Sequence, residues 1–263
     1  MALPTKKQSE SITLDGLVWL FYGPPGIGKS TLASALAWDG KEPLFLYTSP
    51  LRYVHALKKS IDSWKTFVRT LKELEDPAAK RRYSAIVIDI IDNLYLYCRT
   101  EVMELKGHTH ESDLDHGKGW DMVRKEFITR IARLCGLGYS VVFISHAAER
   151  EFKGRVTYTK MVPTLQGAAW GRIYPLVDIA GYCGFSNFEE GEETKRTPRR
   201  VWFEPNEYVE CKDWTGRLPK FQLMHKDPKV TVRELLTALK RTAPKPGVPA
   251  VASKKKMIVK KAR

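Results

Sequence analysis

The segment from residue 23 to residue 30 has the residue types and spacing of a phosphate-binding loop. It matches G-x-x-x-x-G-K-[ST], follows an apolar run that predicts a strand, and opens a run that predicts a helix. Glycines let backbone amides turn inward around a phosphate, and a helix start adds positive potential. The candidate phosphate-binding residues are Gly23, Pro24, Pro25, Gly26, Ile27, Gly28, Lys29, Ser30 and Thr31.

Three side chains of this loop have distinct predicted roles toward a nucleoside triphosphate. Lys29 is expected to reach the β- and γ-phosphates as a point charge, and the Ser30 hydroxyl to coordinate Mg²⁺. Thr31 is a candidate contact for the α-phosphate. The alternative interpretation is a chance glycine-proline turn, which would not need a strand before it and a helix after it.

Polar residues also end two later apolar runs. Asp89 follows Ala85–Ile88 in the manner of a Walker B carboxylate, so the predicted metal ligands are Ser30 and Asp89. Asp92 has two possible roles, and the sequence leaves both open. It orients water or magnesium, or it caps the next helix. His146 ends a strand that would face the γ-phosphate if it lay between the first and third strands; otherwise it is a histidine bonded to a nearby carbonyl. The predicted catalytic set is Lys29, Asp92 and His146.

A third group of polar residues has side chains that can bind metal ions but lacks the spacing that is typical of metal sites. No pair has helical HExxH or paired CxxC geometry, so a solvated loop is the favoured interpretation. The group comprises His108, His110, Glu111, Asp113, Asp115 and His116.

Alternating strands and helices must position these residues. Predicted strands span 16–23, 43–48, 83–90, 139–146, 178–185 and 199–204, and predicted helices span 28–38, 61–75, 91–105 and 120–137. Residues 147–168 are expected to be a loop, and Thr231 the N-cap of a last helix. This alternation predicts an α/β fold with a mostly parallel sheet, helices on both faces, and ligands beyond the C-terminal strand ends.

Charge and composition predict a single core with a basic tail. The chain has 263 residues and a net charge of +14, and nine basic residues with no acidic one lie in residues 240–263. We expect an N-terminal arm over 1–11, a core over 12–240 and a flexible basic tail over 241–263. A basic arm suits a nucleic-acid backbone, although a solubilising tail or another polyanion fits as well.

The same composition excludes some classes of protein. No stretch approaches the ~20 consecutive apolar residues of a membrane helix, and no secretory signal is visible, so we expect no membrane partner. The four cysteines are widely spaced without a CxxC pair, which fits reduced thiols in the cytoplasm, or in the host cytoplasm if the protein is viral.

Five sequence segments together resemble the phage RecA-like nucleotide-binding proteins of the single-strand annealing and recombination type. They are GPPGIGKST, IVIDIIDNLY, HGKGWDMVRKEF, VVFISH and DWTGRLP, and the likeness covers roughly residues 12–220. The resemblance implies a RecA-like P-loop NTPase core, ATP with Mg²⁺, single-stranded DNA binding, and homo-oligomers as rings or filaments. It leaves open whether a single-strand DNA-binding protein is recruited.

The resemblance also implies that DNA faces the loops at about 106–119 and 149–170. The second loop interleaves basic and aromatic residues, which suits sequence-tolerant binding of single strands, although an ordinary solvated loop is the alternative. The candidate nucleic-acid residues are Arg150, Lys153, Arg155, Tyr158, Lys160 and, just beyond, Arg172.

One departure from the family pattern concerns the water-activating glutamate. Ser49 occupies its place after the second strand, and serine is a poor general base. Either hydrolysis is weak, or another acid such as Asp92 or Glu149 substitutes. The functions left open are an ATPase coupled to DNA binding, a DNA-binding module with a vestigial ATPase, and a P-loop nucleotide kinase. Arg217 is either a cation supplied to a neighbouring subunit or part of a surface turn.

Overall fold

The computed structural model of the protein describes residues 13–153, 157–165, 167–186 and 198–240. The predicted arm, the predicted basic tail and Arg155 lie outside these residues. The strands are β1 Val18–Tyr22, β2 Glu42–Tyr47, β3 Leu57–Ser60, β4 Tyr83–Asp89, β5 Ser140–Ser145, β6 Ala147–Phe152, β7 Tyr158–Pro163, β8 Ile179–Phe185, β9 Arg199–Trp202, β10 Lys212–Asp213 and β11 Phe221–Leu223. The α-helices are α1 Lys29–Ser34, α2 Trp64–Glu73, α3 Pro77–Arg82, α4 Ile91–Glu104, α5 Lys118–Gly136, α6 Gly167–Ile173 and α7 Pro228–Lys240.

A central sheet has the strand order β11-β9-β8-β1-β5-β4-β2-β3, with β10 paired to β8. The six strands from β8 to β3 run parallel, and β9, β10 and β11 pair antiparallel at one side. The predicted α/β class with a mostly parallel sheet is therefore confirmed. Strand β5 lies between β1 and β4, which brings their C-terminal ends to one edge of the sheet.

The sheet has a hydrophobic core on each face because its central strands are apolar on both sides. In β1, Val18, Leu20 and Tyr22 join one core, while Trp19 and Phe21 join the other. Helices α2, α4, α5 and α6 cover the first face, and α1 and α7 cover the second. Such burial on both faces explains why these strands read as continuous apolar runs.

Most predicted elements match the structure. The differences lie where tertiary contacts determine where an element begins or ends. Helix α1 ends at Ser34 rather than at residue 38. The last helix begins at Pro228, so Thr231 lies inside it, and the Thr231 hydroxyl accepts the amide of His225 at 2.9 Å. In the described part of the chain, no helix has the length and apolar character needed to cross a bilayer.

The expected loop over 147–168 is wrong, because strands β6 and β7 form an antiparallel hairpin there. Its two strands pair only with each other among the described strands, so most of their side chains stay at least partly exposed. A ribbon of this kind buries no continuous apolar face, so it lacks the alternating pattern that would have predicted it.

Candidate functional site

The phosphate-binding loop lies between the end of β1 and the start of α1, as its motif requires. Gly23 packs so closely on β8 that a Cβ atom there would be 2.1 Å from the carbonyl oxygen of Cys183. Gly28 precedes α1 with a φ of +110°, a conformation that L side chains rarely adopt. These two glycines are required by the backbone path of the loop.

Lys29 is the first residue of α1, and its side chain folds back across the loop. Its Nζ donates to the carbonyl oxygens of Gly23 at 2.8 Å and Pro24 at 2.9 Å. Burial lowers the pKa of this ammonium group, while the neighbouring Asp89 and Asp92 oppose that shift. The buried cation is thus held in the loop by backbone carbonyls, a neutral set of partners that an anionic phosphate would outcompete.

Asp89 ends β4 and lies against the same loop. Its side chain accepts a hydrogen bond from Ser30, whereas its buried Oδ2 has no partner among the described residues. Burial raises the pKa of the Asp89 carboxyl, and the Ser30 hydrogen bond and Lys29 oppose that rise. A hydroxyl beside a buried carboxylate oxygen without a partner is a donor set that fits Mg²⁺, so Ser30 and Asp89 would hold the ion together.

Asp92 belongs to the first turn of α4, where Ile90 and not Asp92 holds the N-cap position. Its Oδ1 accepts the Ser145 hydroxyl at 3.1 Å and the Thr164 hydroxyl at 2.7 Å, and its Oδ2 is buried without a partner in the described chain. Burial raises the pKa of the Asp92 carboxyl, and the Thr164 and Ser145 hydrogen bonds oppose that rise. The geometry therefore favours a role toward water or metal over helix capping.

His146 follows β5 and lies near both carboxylates, where it opposes the rise in pKa that burial causes in each. Its Nδ1 is buried and makes no hydrogen bond to a described residue. The backbone carbonyl of His146 accepts the Thr164 amide at 3.0 Å and the Ser145 hydroxyl at 3.1 Å. The structure thus brings Lys29, Ser30, Asp89, Asp92 and His146 to one edge of the sheet.

Sequence reasoning missed Thr164 and Arg199 as parts of this region. Thr164 follows β7, in the segment interpreted as a loop, and no pattern in the sequence links it to Asp92. Arg199 begins β9 and belongs to none of the motifs above, but its Nη1 donates to the Ile27 carbonyl of the phosphate loop at 3.1 Å. Arg217 likewise serves this chain, because its Nη1 donates to the Leu239 carbonyl near the end of α7.

The β6–β7 hairpin begins directly after His146 and ends directly before Thr164. In its register Arg150 faces Lys160, and Phe152 faces Tyr158. The two rings stack at 5.3 Å with an interplanar angle of 10°, and the Lys160 ammonium lies 5.6 Å from the Tyr158 ring centroid. Two cations placed opposite each other repel, so a bound anion would stabilise the pair of Arg150 and Lys160.

The remaining candidate nucleic-acid residues are dispersed. Lys153 follows β6, where its ammonium lies 3.6 Å from Glu151, and Arg172 is exposed on α6. The structure therefore gathers Arg150, Tyr158 and Lys160 on one hairpin face and leaves Arg172 on a separate element.

The histidine-rich segment over 108–116 is ordered by packing, and the expectation of a solvated loop is wrong for its centre. Glu111 is buried and pairs with Arg99 at 2.6 Å, and His110 contacts the Trp120 ring edge-on. Gly119 is required here because a Cβ atom would lie 2.3 Å from the Glu111 carbonyl oxygen. In the described part of the chain no cluster of metal-ligating side chains is found.

The burial of Asp89 leads to a prediction about stability without ligand. A carboxyl whose pKa is raised in the folded state destabilises that state when ionised, and the penalty grows as pH rises through the raised pKa. Asp89→Asn is therefore expected to stabilise the metal-free protein at pH 7.5 by about 1 kcal/mol, or roughly 2–4 °C in Tm. The measurement is thermal unfolding in EDTA.

The control for this prediction is the same comparison near pH 4, where protonation of Asp89 should reduce the gain from the substitution. Glu207→Gln, at an exposed position whose side chain has no hydrogen bond or ion pair among the described residues, is expected to leave Tm unchanged at both pH values. Equal melting of Asp89→Asn and wild-type protein at pH 7.5 would contradict the stated cost of burial.

Comparison with known proteins gives two matches to this chain. A family model described as an AAA domain matches residues 15–215, well over half of the sequence. The chain is also 32% identical over 148 residues to the SPbeta prophage-derived uncharacterized protein YorG of Bacillus subtilis (strain 168). That alignment covers 54% of this chain and 44% of the relative, so the chain spans less than half the length of the curated relative it matches.

Proposed function

This chain belongs to the AAA domain family of P-loop ATPases, and on that basis we propose that it is an ATPase that uses ATP with Mg²⁺ and binds single-stranded DNA. The wider role we propose is recombination or strand annealing of phage DNA. The resemblance to phage RecA-like proteins supports that role, and the prophage-derived relative supports only its phage setting. The observation that carries the proposal is that both ends of the β6–β7 hairpin lie at the nucleotide site.

In the proposed reaction, Lys29 exchanges the carbonyls of Gly23 and Pro24 for phosphate oxygens. Ser30 and Asp89 hold Mg²⁺, which supplies charge neutralisation on the phosphates when bound. Asp92 accepts the proton of the attacking water as the bond between the γ-phosphorus and the bridging oxygen breaks, and ADP and phosphate leave. Ser49 takes no part, because a neutral hydroxyl is a poor base.

The hairpin supplies the proposed link between nucleotide and DNA. His146 precedes β6, Thr164 follows β7, and the two residues are joined by the 3.0 Å hydrogen bond from the Thr164 amide to the His146 carbonyl. A change in the hydrogen bonds of Asp92 therefore acts on the hairpin base through Thr164. We propose that bound ATP sets the orientation of the hairpin and that hydrolysis releases it.

The proposed DNA surface is the hairpin face with Arg150 and Lys160 beside the Phe152–Tyr158 ring pair. Cations would contact the phosphates, and the rings would offer stacking platforms to the bases. Both interactions tolerate any base sequence. The acidic side chains Glu149 and Glu151 alternate with these residues along β6 and lie on its other face.

The test is binding of a labelled oligo(dT) to the full chain with Mg²⁺ and a non-hydrolysable ATP analogue. Fluorescence anisotropy is expected to show at least a tenfold loss of affinity for Arg150→Ala/Lys160→Ala. The slope of log K against log salt should fall by about 1.4, because two phosphate contacts are lost. Stacking predicts a loss of ~1–3 kcal/mol for Tyr158→Ala.

The matched control is Lys229→Ala/Arg233→Ala, which removes two exposed cations of α7 and is expected to bind DNA like the wild type. All variants keep the basic residues 240–263, so a contribution from that segment is common to them. Absence of wild-type affinity at low salt, with and without the analogue, would refute DNA binding. Equal affinity of the hairpin variant and the control would refute the assignment to this face.

A further inference from the structure

A groove between α2, α4 and α5 takes no part in the nucleotide site. It has a volume of about 970 Å³ and lies on the opposite face of the sheet from α1. None of its lining residues contributes to the phosphate loop, the carboxylate pair or the hairpin. The groove is therefore separate from the proposed nucleotide and DNA sites.

The groove combines an apolar floor with a basic rim. Val68, Val102 and Met122 are among its floor residues, and Leu105 on its border is 71% exposed. Its two acidic residues are already paired, Glu101 with Lys65 at 3.2 Å and Glu126 with Arg130 at 2.9 Å. Four further rim cations have no carboxylate partner within 4.0 Å in the described ranges: Arg69, Lys72, Lys106 and Lys125.

These features define the chemistry of the occupant. Four unbalanced cations favour an anionic segment, and the exposed apolar floor favours one that also carries a large apolar side chain. A nucleic-acid strand would satisfy the cations through its phosphates but would leave the aliphatic floor with few partners. An acidic peptide with an aromatic residue satisfies both.

The sequence contains a segment with this chemistry. Residues 187–197, outside the described part of the chain, read NFEEGEETKRT, with Phe188 beside Glu189, Glu190, Glu192 and Glu193, and with Lys195 and Arg196 after these acidic residues. We propose that this acidic segment of one copy of the chain docks in the α2–α4–α5 groove of a second copy. Phe188 would contact the apolar floor, and the four glutamates would pair with the four rim cations.

The reach of the segment favours a second copy over the same chain. Its two ends are held together, because the Ser186 amide donates to the Pro198 carbonyl at 3.1 Å. Because the 11 residues must leave and return to nearly the same point, the farthest of them lies at most about 18 Å from it, at roughly 3.4 Å per residue. The segment leaves from the end of β8, which lies two strands from β5, the strand that α4 and α5 contact. Two strand spacings of about 4.8 Å and a helix layer about 10–12 Å thick already use that length.

The test uses charge reversal in two full-length variants followed by mixing. The groove variant is Arg69→Glu/Lys72→Glu/Lys125→Glu, and the segment variant is Glu189→Lys/Glu190→Lys/Glu192→Lys/Glu193→Lys. Sedimentation velocity at 50 mM salt is expected to show self-association of the wild type and at least a tenfold weaker association of each variant alone. An equimolar mixture should associate again, since each type of groove then meets a segment of opposite charge.

The mixture also controls for misfolding, because a variant that fails to fold cannot restore association. Lys229→Glu/Arg233→Glu/Lys240→Glu, with the same charge change on α7, should associate like the wild type. A monomeric wild type, unchanged association of either variant, or a mixture that stays monomeric would each overturn the proposal. So would an oligo(dT) affinity lowered by the groove variant while its self-association is unchanged, since the groove would then serve nucleic acid.

Discussion

Lys29→Ala is expected to lower the rate of ATP hydrolysis by roughly 10²–10³-fold, the usual cost of removing one charged group that stabilises a transition state. In the structure this ammonium group is buried, has a pKa lowered by burial, and bonds only to backbone carbonyls of the loop. Among the described residues Arg199 also bonds to this loop, but it comes from β9 and donates to the Ile27 carbonyl rather than to the carbonyls of Gly23 and Pro24 that hold Lys29. We therefore expect no side chain to compensate for its loss.

The measurement is phosphate release with Mg²⁺, with and without single-stranded DNA. Lys58→Ala is the matched control, because Lys58 also donates to a backbone carbonyl, that of Leu51 at 2.8 Å, but on the exposed surface. Its turnover should equal that of the wild type. Equal turnover of Lys29→Ala and wild-type protein would instead support the alternative of a DNA-binding module with a vestigial ATPase.

Asp92→Asn is expected to lower kcat by roughly 10²–10⁴-fold, the usual contribution of a general base, while nucleotide affinity stays within a few-fold. The amide keeps the shape of the carboxylate and its acceptor for Thr164 and Ser145 but loses the basic oxygen. Glu149→Gln tests the other candidate base. Glu149 is exposed on the hairpin, and its substitution should change kcat little.

The pH dependence of the rate gives a second readout for Asp92. The carboxylate must be ionised to accept a proton, and burial raises its pKa, so kcat should rise with pH in a range above the ordinary aspartate pKa. Thr164→Ala removes a hydrogen bond that lowers this pKa, so the rising limb should move to higher pH. Thr164→Ser should restore it. A limb that does not move in Thr164→Ala would contradict the assignment.

The elements that carry the phosphate site were predictable because their signals are local. The loop over 23–30 is a contiguous pattern whose glycines are required by one turn, and Asp89 follows an apolar strand at a fixed spacing. Parallel strands place such residues at one edge of a sheet whatever the loops between them do. The prediction that His146 faces this edge depended on strand order, and the structure confirms that β5 lies between β1 and β4.

The hairpin and its connections were not predictable, because their residues have no local signal. Strands β6 and β7 pair with each other and with no described strand of the central sheet, so they show no apolar alternation and were interpreted as a loop. One of the DNA-facing loops that the family resemblance implied contains Arg150, Tyr158 and Lys160. Only the register of the hairpin places these residues on one face.

The sequence alone therefore determined the fold class, the phosphate loop and the carboxylate beside it, since contiguous spacing and periodicity encode them. Only the tertiary structure decided which distant side chains complete the site. Thr164 and Asp92 are 72 positions apart, and Arg199 and Ile27 are 172 positions apart, yet each pair shares a hydrogen bond. Strand order and hairpin register create such contacts, and these depend on the packing of the whole sheet rather than on any short stretch of chain.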